Sequence, residues 1–170
     1  RNRYKRNLER VKHIKAKSNA TKRLLLNHYN LKTPIRVAKS PVISNEINFL
    51  ECSTNKIIGF NKKELIIGYL GRQEPHKNPL FLIQLATQLH LQGYKVKLEI
   101  VGSGSVNSRL RTVAREEGFQ LTDWGRVNDW SCIVSKWNFC IVPSIREPLG
   151  LVPAETIMVG TLSLSSNIDG

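Results

Sequence analysis

The sequence predicts an α/β fold: a parallel sheet with helices on both faces. Three observations lead there. From about residue 62 onward, short apolar runs alternate with amphipathic stretches. The runs have the length of buried strands, and the stretches between them carry helical spacing. Gly, Asn and Pro punctuate the changes. Strands and helices in strict alternation assemble as parallel sheets covered by their own crossovers.

The elements follow in order. "LIIGYL" (65–70) is a buried-strand candidate bounded by polar residues. Asn78 and Pro79 then offer an N-cap and a first-turn proline. Leu82, Leu85, Ala86 and Leu89 repeat at helical spacing, and Gly93 marks the stop. "VKLEIV" (96–101) alternates as a strand, "GSGS" turns the chain, and residues 107–117 read as an amphipathic helix ended by Gly118. "FQLTDW" (119–124) is a weaker strand. Asn128 or Asp129 is expected to cap a short helix to Lys136, followed by a fourth strand, "WNFCIV" (137–142). A helix over about 150–159, ended by Gly160, and a fifth strand "TLSLS" (161–165) complete the series.

The first 60 residues differ. "VKHIKAKS" is a candidate strand and "SNATKRLLLNHYN" a helix capped by Ser18. The division expected is a basic segment over 1–43, a linker over 44–61 and the α/β domain over 62–170, with its end open to truncation.

Composition narrows the class. With 41% hydrophobic and 23% charged residues the chain is ordinary for a globular protein. No apolar run approaches the roughly 18–20 residues that span a bilayer. The opening "RNRYKRNLER" lacks a secretory signal pattern and an initial Met, so a fragment or processed chain is expected. Cys52, Cys132 and Cys140 show no CxxC spacing and read as buried free thiols in a reducing compartment. His13, His28, His76 and His90 are scattered, so no metal site is expected. The net charge of +13 is uneven: residues 1–40 hold 13 of the 26 Lys and Arg beside one acid, Glu9. The body of the chain is therefore nearly neutral.

The chemistry concentrates where strands end and helices begin, which is where parallel sheets bind ligands. In "REPLGLVPAE" (146–155) Glu147 and Glu155 flank a turn carrying Pro148, Gly150 and Pro153. The unpaired amides of the helix start, around Leu149, Gly150 and Leu151, suit a phosphate. Carboxylates on either side suit the paired hydroxyls of a sugar and a ribose. "GRQEPHKN" (71–78) places Arg72 and Lys77 in a second such loop, where two cations can hold a diphosphate. "VGSGS" (101–105) opens like a dinucleotide fingerprint, but its third glycine position is Asn107. "DWGRVND" (123–129) supplies backbone groups near Arg126 and Val127 for a base.

Together these loops resemble the C-terminal donor domain of the retaining GT-B glycosyltransferases known as the "glycosyl transferases group 1" family (family four). The resemblance rests on Gly71-Arg72 with Lys77, on "VGSG" and "WGRV", and on "VPSIREPLGLVPAE" with Glu147 and Glu155. It continues to Gly160 and Asp169-Gly170 and covers about residues 62–170. It implies a Rossmann-like domain, the C-terminal half of a GT-B fold, binding a UDP-, GDP- or ADP-sugar without a metal or other cofactor. Arg72 and Lys77 would hold the diphosphate beside Gly71 and the backbone of Leu149, Gly150 and Leu151. Glu147 would bind the transferred sugar, Glu155 the ribose, and Gly102, Gly104, Arg126 and Val127 would line the base. Arg72, Lys77 and Glu147 are thus the catalytic candidates.

Departures from the family pattern are Thr156 and Met158, where alanines are usual, and Thr161, where proline is common. "AKSNATKRLLLNHYNL" is similar to the close of the family's N-terminal domain, which would otherwise be missing together with the acceptor site.

The function implied is donor binding for a cytoplasmic enzyme that glycosylates a glycan or lipid-linked acceptor of a surface polysaccharide such as a lipopolysaccharide or capsule. Residues 1–40 would draw it to the anionic inner face of the membrane. The same motifs would serve a sugar-phosphate or glucan synthase. The contrasting reading, a basic nucleic-acid-binding module, has little support, since Tyr4 and Tyr29 are the only aromatics there for stacking.

Overall fold

The computed structural model describes residues 2–38 and 64–168. The predicted linker over 44–61 lies outside them, as do Cys52 and Asp169-Gly170. The chain divides into two compact units. One comprises Arg1–Pro41 with Arg146–Gly150 and Ile168–Gly170, the other Val42–Ile145 with Leu151–Asn167.

The first unit contains α1 (Asn2–Glu9), β1 (Ile14–Ala16), α2 (Asn19–Tyr29) and β2 (Ile35–Val37). Ser18 caps α2 as its sequence predicts: its backbone is extended and its hydroxyl accepts from the Thr21 amide at 3.1 Å. Asn30 ends the helix in the left-handed region, its amide donating to Leu26 O at 2.9 Å. The helix carries the chain back so that β1 and β2 pair in parallel, Ile14 opposite Ile35. Ala16, Leu31 and Ile35 form a small core, packed by Leu8, Ile14, Leu25 and Tyr29. Helix α1 and strand β2 were not expected. Among the described side chains of α1, Leu8 alone packs on that core, and a three-residue strand shows no periodicity of its own.

The second unit is built on five parallel strands: β3 (Glu64–Leu70), β4 (Lys95–Val101), β5 (Leu121–Asp123), β6 (Phe139–Val142) and β7 (Leu162–Ser165). Their order is β5-β4-β3-β6-β7. The chain thus builds outward from β3 on one side, then returns across it to build outward on the other. The helices between are α3 (Phe81–Leu91), α4 (Asn107–Glu116), α5 (Ser131–Val134) and α6 (Leu151–Met158).

Strand side chains alternate in direction, so each strand serves two cores. Ile67 and Tyr69 of β3, Leu98 and Ile100 of β4 and Ile141 of β6 pack with Leu82, Ile83 and Ala86 of α3 and Leu110 and Ala114 of α4. The intervening residues Ile66, Leu70, Val101, Cys140 and Val142 pack with Val134 of α5, with Trp137, and with Val152 of α6. Helices therefore cover both faces, as predicted. Gly68 lies between these β3 residues because Trp137 occupies the space beside it: a Cβ there would collide with the indole.

Among the described residues no helix is long and apolar enough to cross a membrane.

Candidate functional site

The direction changes between β3 and β6, and in such sheets the ligand crevice opens at the carboxyl ends of the strands beside that point. The loop after β3 carries Gly71 and Arg72, then a 3-10 turn, Pro75–Lys77, that ends in Lys77. Asn78 does not cap α3. It adopts the left-handed conformation, and its amide donates to Pro75 O at 3.1 Å, so it closes the 3-10 turn. Leu80 stands at the α3 cap position without a side-chain bond. Arg72 is exposed and Lys77 half-buried.

This loop is fastened to the one after β4. The Gly71 amide donates to Val101 O at 2.9 Å and the Gln73 amide to Ser103 O at 3.0 Å. Gly102 has a φ of 124°, and a Cβ on it would overlap the Gly71 carbonyl oxygen. A Cβ on Gly104 would likewise overlap the Gln73 backbone. The "GSG" glycines thus let two loops meet backbone to backbone, a packing requirement independent of any ligand. Glu74 adds to the join, accepting from Ser105 Oγ at 2.7 Å. Bonds from the Ser105 hydroxyl and amide, with the nearby charges of Arg72 and His76, hold the Glu74 carboxyl below its ordinary range against some desolvation.

The loop after β5 joins as well. The Gly102 amide donates to Gly125 O at 2.7 Å, and the Gly125 amide to Asp123 Oδ1 at 2.9 Å. Asp123 also accepts from Asn107 Nδ2 at 2.9 Å and from Arg111 Nε at 2.8 Å. Burial alone would raise its carboxyl, but the bonds from Asn107, Gly125 and Arg111 outweigh that and lower it. Arg126, exposed, and Val127, half-buried, follow in this loop. The cap expected from Asn128 or Asp129 is absent: Trp130 stands at the α5 cap position, and Asp129 instead accepts from Ser131 Oγ at 2.7 Å.

Across the turning point, the Ile145 amide donates to His76 O at 2.8 Å, tying the loop after β6 to the loop after β3. A Cβ on Gly71 would stand 4.0 Å from Val152 Cγ2, so the first turn of α6 adjoins Gly71. Leu151 opens this helix and Glu155 lies one turn further on, half-buried. The Cys140 thiol is pushed up to about 12, chiefly by burial, against a backbone bond at Leu70 and with help from the Glu155 charge. Glu147, Leu149 and Gly150 belong to the first unit, in the segment leading to α6. Gly150 has a φ of 69°, which explains the glycine between the two carboxylates.

The two threonine departures are accommodated. Thr156 is buried with its hydroxyl donating to Pro153 O at 3.1 Å, and Thr161 is buried donating to Val134 O at 2.7 Å. Cys132 corrects the expectation of free thiols: it is disulfide-bonded, whereas Cys140 is buried and free.

Two polar features escaped the sequence. Gln73 is fully buried, and Glu99 accepts from two indoles within a strand. For Glu99 the available signal was an acid inside an apolar strand run; Gln73, one polar residue in the polar loop "GRQEPHKN", carried none.

A model of the "Glycosyl transferases group 1" family matches residues 53–170. An uncharacterized glycosyltransferase of Methanocaldococcus jannaschii is 27% identical over 146 residues, covering 78% of this chain and 37% of the relative. Among solved structures, a glycosyltransferase from Rickettsia africae superposes with a TM-score of 0.77 at 19% identity, over 100% of this chain and 49% of that one. The pneumococcal O-GlcNAc transferase GtfA, solved in complex with UDP and GlcNAc, gives 0.74 at 17% identity, over 99% and 32%. At such identities the likeness to these structures is one of fold. The chain spans about a third to a half of the length of these proteins.

Proposed function

The chain belongs to the glycosyl transferases group 1 family, and on that premise we propose that residues 62–170 bind the nucleotide-sugar donor of a retaining GT-B glycosyltransferase. One observation carries this reading. Gly71, Arg72, Lys77, Gly102, Gly104, Arg126 and Val127 all follow the carboxyl ends of β3, β4 and β5, in loops bonded to one another beside the turning point of the sheet. The donor is a UDP-, GDP- or ADP-sugar.

In this reading Arg72 and Lys77 balance the diphosphate, with no metal ion, and stabilise the charge that develops as it leaves. The backbone at Leu149, Gly150 and Leu151 adds amide donors. Glu147 accepts from hydroxyls of the transferred sugar and Glu155 from the ribose. Arg126 and Val127, with the Gly102–Gly104 turn, border the base.

The acceptor is a glycan or a lipid-linked glycan of a surface polysaccharide or glycoconjugate, and the acceptor wall comes from an N-terminal GT-B domain. The excess of Lys and Arg in residues 1–40 supports attraction to the anionic inner face of the membrane, with the enzyme peripheral and cytoplasmic.

The test is thermal unfolding against UDP-, GDP- and ADP-sugars. A ligand at 100 times its Kd stabilises by about 2.7 kcal/mol. Stabilisation by one nucleotide class is expected; none by any class would refute donor binding.

A further inference from the structure

We propose that Gln73 is a positioning residue that sets Arg72 against the donor diphosphate, an inference resting on the donor-site reading above. Gln73 is fully buried, and each of its four hydrogen-bonding groups is used by one short stretch, residues 102–107. Its amide donates to Ser103 O at 3.0 Å, and its carbonyl accepts from the Val106 amide at 3.1 Å. Its Nε2 donates to Gly102 O at 3.1 Å, and its Oε1 accepts from Asn107 Nδ2.

An apolar side chain of similar volume would fill the same space with no demand on direction. A buried amide with every group paired fixes one geometry. The Gln73 backbone is also backed by Gly104. The residue before it is Arg72, whose carbonyl accepts from Tyr69 Oη at 2.6 Å and from the Glu74 amide at 3.0 Å. The peptide that follows Arg72 is therefore held at both its carbonyl and its amide while the Arg72 side chain is exposed. Asn107, which departs from the glycine fingerprint, has its use here: its one amide nitrogen joins Gln73 to Asp123. On the base side the Gln73 side chain bonds Gly102 O, but that turn keeps its ties from the Gln73 amide to Ser103, from Gly102 to Gly125 and from Gly125 to Asp123 when the side chain is lost.

The experiment titrates UDP, GDP and ADP, each with its nucleoside, into wild type, Gln73→Leu, Arg72→Ala and the double variant. For the nucleotide that wild type binds, Gln73→Leu should weaken the diphosphate about five- to tenfold, the scale of one lost hydrogen bond, and the nucleoside by less than about twofold. In the double variant the diphosphate loss should match that of Arg72→Ala alone. Equal losses for diphosphate and nucleoside, or additive losses in the double variant, would overturn the proposal. Asn107→Ala, at a half-buried site, should give the same selectivity more weakly if Gln73→Leu does not fold; an unselective loss there would also overturn it. Wild type binding none of the three would refute the donor site itself, and that is seen before any variant is compared.

Discussion

The fully buried Trp137 donates its indole N–H to Glu99 Oε2 at 2.9 Å. The same oxygen accepts from Trp124 at 2.9 Å, so two neutral donors hold a carboxylate within β4. Trp137 also fills the space left by Gly68. Trp137→Phe keeps an aromatic ring but removes a donor to a charged group, at a cost of about 1.5–3 kcal/mol. Gly68→Ala drives a methyl into the indole and should cost about 1–3 kcal/mol or more. Urea unfolding measures both, and an unchanged midpoint for either would contradict this packing.

Acid should loosen the joined loops through Asp123. Its carboxyl is desolvated, which alone would raise it, yet bonds from Asn107, Gly125 and Arg111 lower it below 3.8. A carboxyl lowered by folding stabilises the native state above its unfolded pKa, and that contribution is lost as pH falls through the folded value. Asp123→Asn should therefore be less stable than wild type at neutral pH and should lose less on acidification below about pH 4. Denaturation at both pH values checks this, and parallel pH profiles would contradict it.

Much of this was legible in the sequence because it rests on local patterns. β3 and β4 are apolar runs, α3 and α4 carry helical spacing, and Ser18 is a local cap. The errors arise where partners are distant or the signal is ambiguous. Asn-Pro at 78–79 suits a helix start, but the 3-10 turn before it takes Asn78 as its own terminus. The pairing of Gln73 with Asn107 spans 34 positions, and that of Asn107 with Asp123 spans 16. No periodicity announces such bonds. The glycines of "VGSG" were visible, but their close approach to Gly71 and Gln73 appears only once two strands lie side by side.

The cations proposed for the diphosphate make a selective prediction. Arg72→Ala or Lys77→Ala should weaken nucleoside diphosphate binding by about 1.5–3 kcal/mol and leave the nucleoside nearly unchanged. Calorimetry with both ligands measures the difference. Equal losses would mean that these side chains do not touch the diphosphate.

Membrane attraction is testable through charge alone. Each basic residue near an anionic surface contributes about 1 kcal/mol, screened by salt. The chain should sediment with anionic vesicles at low salt, remain in solution with neutral ones, and be released as salt rises. Equal sedimentation with both vesicle types would sink the idea.

This chain should grip a donor nucleotide. Transfer needs more, because an acceptor hydroxyl must be held close to the anomeric carbon in a site that excludes water. The most direct measurement is calorimetric titration of the 170-residue chain with UDP, GDP and ADP, paired with a transfer assay using radiolabelled sugar donors. Saturable binding of one nucleoside diphosphate and no sugar transfer by the chain alone are expected. Binding of none would contradict the donor site, and robust transfer would contradict the dependence on a second domain.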